Sequence, residues 1–193
     1  GAGASGLAAA RLMEDNNISF SILEATDRIG GRLKEYENFA NFPVDLGAEW
    51  IHNLPSILTV LSGDDTVETI DLVRQWMTDS YSWNKPNLKR IPSFLWAIFH
   101  RFMPEYKFQK STWYNFVTNR VATKTVKDRV QFNAPVEEID YRGPRAIVTT
   151  RDGKKHIADK VIVTASVGVL QSGSIRFVPE LPQDKKTALE TIH

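Results

Sequence analysis

The sequence predicts an α/β fold built on a Rossmann-like nucleotide unit. Three observations predict it. Gly1-Ala2-Gly3-Ala4-Ser5-Gly6 is a G-x-G-x-x-G loop, and Ser5 to Asn16 carries Leu7, Ala8, Leu12 and Met13 at helical spacing. Ile18-Ser19-Phe20-Ser21-Ile22-Leu23 is then a strand-like run that ends at an acid, Glu24.

Each piece has a physical reason. Glycines at a strand-to-helix turn let the backbone approach a pyrophosphate with no Cβ in the way, which singles out Gly1, Gly3 and Gly6. The helix that begins at this loop, beside Ala4 and Ser5, aims unpaired N–H groups and a positive dipole end at the same phosphates. Asn16-Asn17 is a stop signal for that helix. The strand over 18–25 is apolar enough to be covered on both faces, and Glu24 at its end is placed to accept hydrogen bonds from ribose hydroxyls. The plainer alternative is a glycine-rich turn beside an ordinary surface acid. In a parallel βαβ unit the loop follows a buried strand, so the first strand is expected upstream of Gly1, along with any targeting segment.

The bulk composition narrows the function classes. The chain has 193 residues, enough for one large domain or parts of two, and 42% of them are hydrophobic. A net charge of +1 argues against a nucleic-acid footprint. The absence of cysteine excludes disulfides, thiolate zinc sites and thiol catalysis within these residues and leaves the compartment open. No metal site is expected. No run approaches the ~20 apolar residues that cross a membrane.

Thr26 to Arg32 reads as a loop in which Gly30-Gly31 permits positive φ, and the Arg32 guanidinium is suited to paired hydrogen bonds with a pyrophosphate. The alternative is a surface arginine after a tight turn. Here the residues carry a resemblance. Ile22-Leu23-Glu24-Ala25-Thr26-Asp27-Arg28-Ile29-Gly30-Gly31-Arg32 resembles the signature of the flavin-dependent amine oxidases, a family that includes monoamine, polyamine and L-amino-acid oxidases. Asp45-Leu46-Gly47-Ala48-Glu49-Trp50-Ile51-His52 is similar to the family segment that passes the flavin ring, nearest to its polyamine-oxidase version. That version has glycine after the histidine. This chain has Asn53, which also tolerates a left-handed backbone.

The resemblance implies FAD rather than NAD, in a glutathione-reductase-type domain with a β-meander. It places Gly31, Arg32 and Ala25 with Glu24 near one end of the cofactor, and Gly47, Ala48, Glu49 and Trp50 near the other. It puts His52 near the amine channel, where an imidazole either meets substrate or satisfies a backbone carbonyl. Glu49 is expected to act through its backbone rather than as an attractor of the amine.

The middle of the chain is less legible. Ile57 to Leu61 suggests a short helix, and Val67 to Thr78 fits a helix or a strand. Trp76, Tyr81 and Trp83 cluster nearby. Ser93 to Met103 is apolar almost all round and reads as a buried helix, with an aromatic cavity wall or a dimer face as the sharper alternative. Trp113 to Val130 reads as a helical pair with Lys124, Lys127 and Arg129 on a solvated face.

From Val130 the period changes to two. Val130 to Phe132, Val136 to Tyr141, Ala146 to Thr150 and His156 to Ala158 read as strands, with turns at Arg142-Gly143-Pro144 and Asp152-Gly153. Lys160 to Ala165 is a further β-rich run, and Lys185 to His193 begins a helix. By resemblance the three middle strands are the family's meander, 160–165 returns to the nucleotide sheet, and the backbone of Val136 meets the adenine. The FAD-binding domain is then expected over 1–60 and 130–172, and part of a mostly helical substrate domain over 61–129 and 173–193.

The implied chemistry is oxidation of an amine to an imine at flavin N5, with reoxidation by O2 to give H2O2. The protein orients and tunes the cofactor. The family's active-site lysine is expected beyond His193, and these residues alone are expected to be inactive. The alternatives are an FAD desaturase or protoporphyrinogen-oxidase-type enzyme with the same opening signature, or a non-catalytic flavin-binding module. A chromatin-directed demethylase relative is disfavoured because no basic stripe is present. Which amine is oxidised, the oligomeric state and the compartment are left open by the sequence.

Overall fold

A computed structural model describes residues 1–48, 67–70, 105–108 and 111–192. The chain is mixed α/β and divides into two compact units: Gly1–Lys34 with Tyr114–His193, and the inserted Glu35–Trp113.

In the first unit, the opening helix spans Ala4–Asp15. It ends in a Schellman turn: the Ile18 N–H donates to the Met13 carbonyl (2.8 Å), and the Asn17 N–H donates to Glu14 (3.0 Å). Asn17 takes the left-handed conformation this requires, φ +56°, so the Asn-Asn pair does act as the stop. Leu7 and Ala10 are the buried positions. Leu12, expected on the apolar stripe, is instead 65% exposed, because five residues from Leu7 carry it to the far side of the helix.

The helix packs on the segment after Trp113. A short helix Trp113–Phe116 runs into a π-helical turn Val117–Val121, and a second helix follows over Lys124–Asp128. Thr123 caps that second helix by accepting from the Val126 N–H at 3.1 Å, and its hydroxyl donates to Glu14 Oε2 at 2.7 Å. Phe116, Val117, Ala122 and Val126 are buried here with Leu7, so the apolar faces expected of this region meet the opening helix.

The expected strand over 18–25 pairs only at Ile22–Leu23, parallel to Val130–Gln131. Ile18 is 56% exposed. Likewise Lys160 to Ala165 joins no ladder among the described residues, and Ile162 and Val163 are exposed. A run of β-formers becomes strand only where a neighbouring ladder takes up its backbone groups, and among the described residues these stretches have none beyond Ile22–Leu23.

The meander forms as expected and gains a strand. Val136–Asp140, Ala146–Thr150 and Lys155–Ala158 are antiparallel neighbours, and Arg176–Val178 adds parallel to the first of them. Ala146, Val148 and Thr150 are buried while Ile147 and Thr149 are half-buried, the period-two pattern of a sheet with one covered face. Gly153 turns the last hairpin at φ +81°. The chain closes on a helix over Gln183–Thr191.

In the second unit, Glu35–Tyr36 pairs antiparallel with Val44–Asp45, and Val67–Ile70 with Glu105–Phe108. Val67 to Ile70 is therefore strand. The two ends of the unit are tied together: the Thr112 hydroxyl donates to Glu35 Oε2 (2.6 Å) and the Trp113 N–H to Asp45 Oδ2 (3.0 Å). The short helix expected at Ile57–Leu61, the aromatic cluster of Trp76, Tyr81 and Trp83, and the apolar run over 93–103 lie outside the described residues.

Candidate functional site

The sequence features of the first unit converge on the loop Gly1–Gly6. Two backbone hydrogen bonds fix the strand end that carries Glu24: its N–H donates to Gln131 (2.9 Å) and its carbonyl accepts from Ala134 (2.8 Å). The side chain, 8% exposed, turns to the glycine loop, where Oε2 accepts the Ala2 N–H at 2.7 Å. Oε1 accepts the Thr26 N–H at 2.9 Å and the Thr26 hydroxyl at 2.8 Å. Burial pushes the Glu24 carboxyl up, but the N–H donors of Ala2 and Thr26 and the Thr26 hydroxyl together hold it below its ordinary value. Glu24 is thus an ionised acceptor. A carboxylate offers about four lone-pair positions, and three of them are taken here by protein donors.

The glycines are spatial requirements. A Cβ on Gly6 would lie 1.9 Å from the Gly1 carbonyl oxygen, so the opening helix could not start where it does. A Cβ on Gly30, at φ +104°, would meet the Leu33 carbonyl at 2.7 Å and the Tyr114 ring at 2.9 Å. The Gly30 N–H donates to the Ala2 carbonyl at 2.8 Å, and Gly30 forms a parallel bridge with Gly3. The double-glycine turn therefore lies against the glycine loop. Gly31, φ +59°, has Gly3 Cα 3.3 Å from where its own Cβ would be.

Ala4, Ser5, Ala25, Gly31 and Arg32 are exposed around this junction, and Gly3 and Gly6 are half-buried. Val136 is half-buried and lies two residues past Ala134, whose N–H holds Glu24. Gly47 and Ala48 belong to the second unit and are exposed, while Glu49, Trp50 and His52 lie outside the described residues.

Four further residues, not singled out by the sequence reading of the loop, build the junction. Thr26 donates twice to Glu24, Arg28 bonds three carbonyls of its own loop, Tyr114 packs on Gly30, and the Thr164 hydroxyl donates to the Gly1 carbonyl at 3.3 Å. A hydroxyl two residues past an acid is a local turn signal that would have found Thr26. Tyr114 and Thr164 are far from the loop in sequence and give no such hint.

A family model for flavin containing amine oxidoreductases matches residues 4–90 and 96–193. The chain belongs to this family. FAD is the standard cofactor of flavin-containing amine oxidoreductases, and the junction fits such a group. The first-turn N–H groups of the opening helix have no intrahelical partners. At Gly6 the loop leaves no room for a side chain, and an ionised acid stands at its edge.

Relatives in the same family are about equally distant. The chain is 25% identical to Lysine-specific histone demethylase 2 of Homo sapiens, over 100% of this chain and 32% of that protein. It is 25% identical to Polyamine oxidase 2 of Arabidopsis thaliana, over 100% and 55%. It is 24% identical to Polyamine oxidase 7 of Oryza sativa subsp. japonica, over 98% and 59%. The chain thus spans from 32% to 59% of the length of these relatives. No helix among the described residues is long and apolar enough to cross a membrane.

Proposed function

We propose that the whole protein is an FAD-dependent oxidase of an alkylamine. The amine loses two electrons and two protons to become an imine, and O2 takes up both to become H2O2. Bound FAD supplies the two-electron acceptor. This chain's own residues would bind and orient it. Glu24 would accept from the adenosine ribose, and the loop Gly1–Gly6 with the start of the opening helix would face the diphosphate. Gly31 and Arg32 would meet that diphosphate from the second turn, and Val136 would lie by the adenine. Gly47, Ala48, Glu49 and Trp50 are proposed for the isoalloxazine side and His52 for the amine side.

The single observation that supports the reading most is the closure of Glu24 onto the Ala2 N–H, which sets an ionised, buried acceptor at the mouth of the glycine loop. The substrate class follows from the relatives' names. Polyamine oxidase and lysine-specific histone demethylase share a nitrogen on an alkyl chain, and an alkylamine is the class proposed here.

Spectroscopy of the full-length protein tests this. The expected result is a bound-flavin absorbance that bleaches anaerobically with a polyamine, monoamine or N-methyl-lysine peptide, and peroxide formed on readmitting air. Bound flavin that no amine bleaches would replace the oxidase with a desaturase-type enzyme or a flavin-binding module.

A further inference from the structure

We infer that Arg28 is a positioning residue that shapes the double-glycine turn for the cofactor's diphosphate, an inference that rests on the FAD reading above. The half-buried guanidinium gathers three carbonyls of its own loop. Nη1 donates to Ile29 (3.2 Å) and to Leu33 (3.2 Å), and Nη2 donates to Gly31 (2.7 Å). Among the described residues no carboxylate pairs with it. Its donors serve the backbone, and they do so at alternate residues along the turn.

The consequence lies in the other half of the same peptide groups. With the carbonyls of Ile29, Gly31 and Leu33 gathered on one cation, the turn is held in the conformation that gives Gly30 φ +104° and Gly31 φ +59°. The Gly30 N–H is used on the Ala2 carbonyl and the Leu33 N–H on the Gly30 carbonyl. The N–H groups of Gly31 and Arg32 have no acceptor among the described residues, and both residues are exposed. Successive free N–H groups beside a positive-φ glycine form an anion-binding concavity. The Arg32 side chain is exposed as well, with no hydrogen bond among the described residues. The two arginines of Arg28-Ile29-Gly30-Gly31-Arg32 therefore divide the work: Arg28 folds the turn from within, and Arg32 is left to meet the phosphates.

A planar fork with five fixed donors suits this task, and a lysine ammonium, a single point on a flexible stem, does not reach three divergent carbonyls. Arg28 and Arg32 therefore respond differently to the same conservative change. The test is FAD binding by the full-length apoprotein, followed by flavin fluorescence across a salt series. Wild type, Arg28→Lys and Arg32→Lys are compared, with far-UV circular dichroism to verify folding.

Arg28→Lys is expected to weaken FAD by about tenfold with the salt dependence unchanged, since the charge is kept and the shape is lost. Arg32→Lys, which keeps a charge for the phosphates but loses the paired donors, is expected to weaken FAD by about threefold, less than Arg28→Lys does. A merely structural role would lower the melting temperature of Arg28→Lys and leave its FAD affinity at the wild-type value, which would overturn the inference. So would an Arg28→Lys defect that vanishes at high salt, the sign of a direct charge contact. If Arg28→Lys does not fold, Arg28→Gln, which keeps a planar amide donor, takes its place, and the same loss of FAD affinity at wild-type folding is expected. Failure of the wild type itself to bind FAD would remove the cofactor reading, and this inference with it.

Discussion

Glu24 and the two meander acids Asp140 and Asp152 use the same local device to opposite ends. Each accepts from the residue two positions on. Asp140 takes the N–H and guanidinium of Arg142, and Asp152 takes the N–H and ammonium of Lys154 with the Thr150 hydroxyl. Their carboxyls are lowered by these partners, side-chain hydrogen bonds first, that of Asp140 to about 2. The partner cations are solvated, so these pairs are screened and add little to stability. Glu24 takes uncharged donors from Ala2 and Thr26 in a buried setting. Its charge is held by dipoles rather than cancelled by a side-chain cation, which leaves it able to serve a ligand. Burial and the type of donor separate an acid that closes a hairpin from an acid that waits for a partner.

Four experiments sharpen or break that contrast, from large effect to small. Gly6→Ala sets a Cβ against the Gly1 carbonyl and is expected to weaken FAD binding about 100-fold or more, read by equilibrium dialysis. Binding within a few-fold of wild type would mean the helix start is not where the diphosphate sits. Glu24→Ala strands the buried Ala2 N–H and removes the proposed ribose acceptor; about 10- to 100-fold weaker retention is expected. Thr26→Val deletes one of the donors to Oε1 and keeps the shape, for a loss of about threefold that Thr26→Ser restores. Asp140→Asn, the surface counterpart, is expected to leave both FAD affinity and melting temperature at wild-type values.

Acid separates the same groups by direction. The folded Glu24 carboxyl lies below its ordinary value of 4.5, so its contribution is complete above about pH 4.5 and is lost as the pH falls through the lowered value. Flavin fluorescence should rise on acidification in wild type and become flat across that interval in Glu24→Gln. Release that follows unfolding by circular dichroism in both proteins would place the acid sensitivity elsewhere. The Asp140 carboxyl is lowered to about 2 by its hydrogen bonds from Arg142, so it does not cause a change near pH 4.5.

Much of this was legible in the sequence where a signal is local and periodic. The opening helix, its Asn-Asn stop and the three meander strands follow from spacing and turn residues alone. The helix face is not legible at Leu12, because apolar identity does not report angular position. Only Ile22–Leu23 of the strand expected over 18–25 joins a ladder among the described residues, because β-forming composition does not report where a neighbour runs. Glu105-Tyr106-Lys107-Phe108 alternates with period two and still went unread, being too short to stand out.

At the candidate site, Glu24 and the glycines were legible from motif spacing. The work of Arg28 was not, although the residue stood in plain view. Its role depends on where three carbonyls of one turn point, and that is a property of φ and ψ at Gly30 and Gly31 rather than of residue types.

The distance along the chain between partners in the first unit has a consequence for how the protein is made. Ile22 finds its ladder at Val130, and Glu14 meets the Thr123 hydroxyl 109 residues later. Synthesis proceeds from the N-terminus, at roughly 5–20 residues per second. The nascent glycine loop is therefore out of the ribosome for seconds before the strand and helices that brace it have emerged. During that wait the Ile22–Leu23 edge that later pairs with Val130–Gln131 is open to wrong partners.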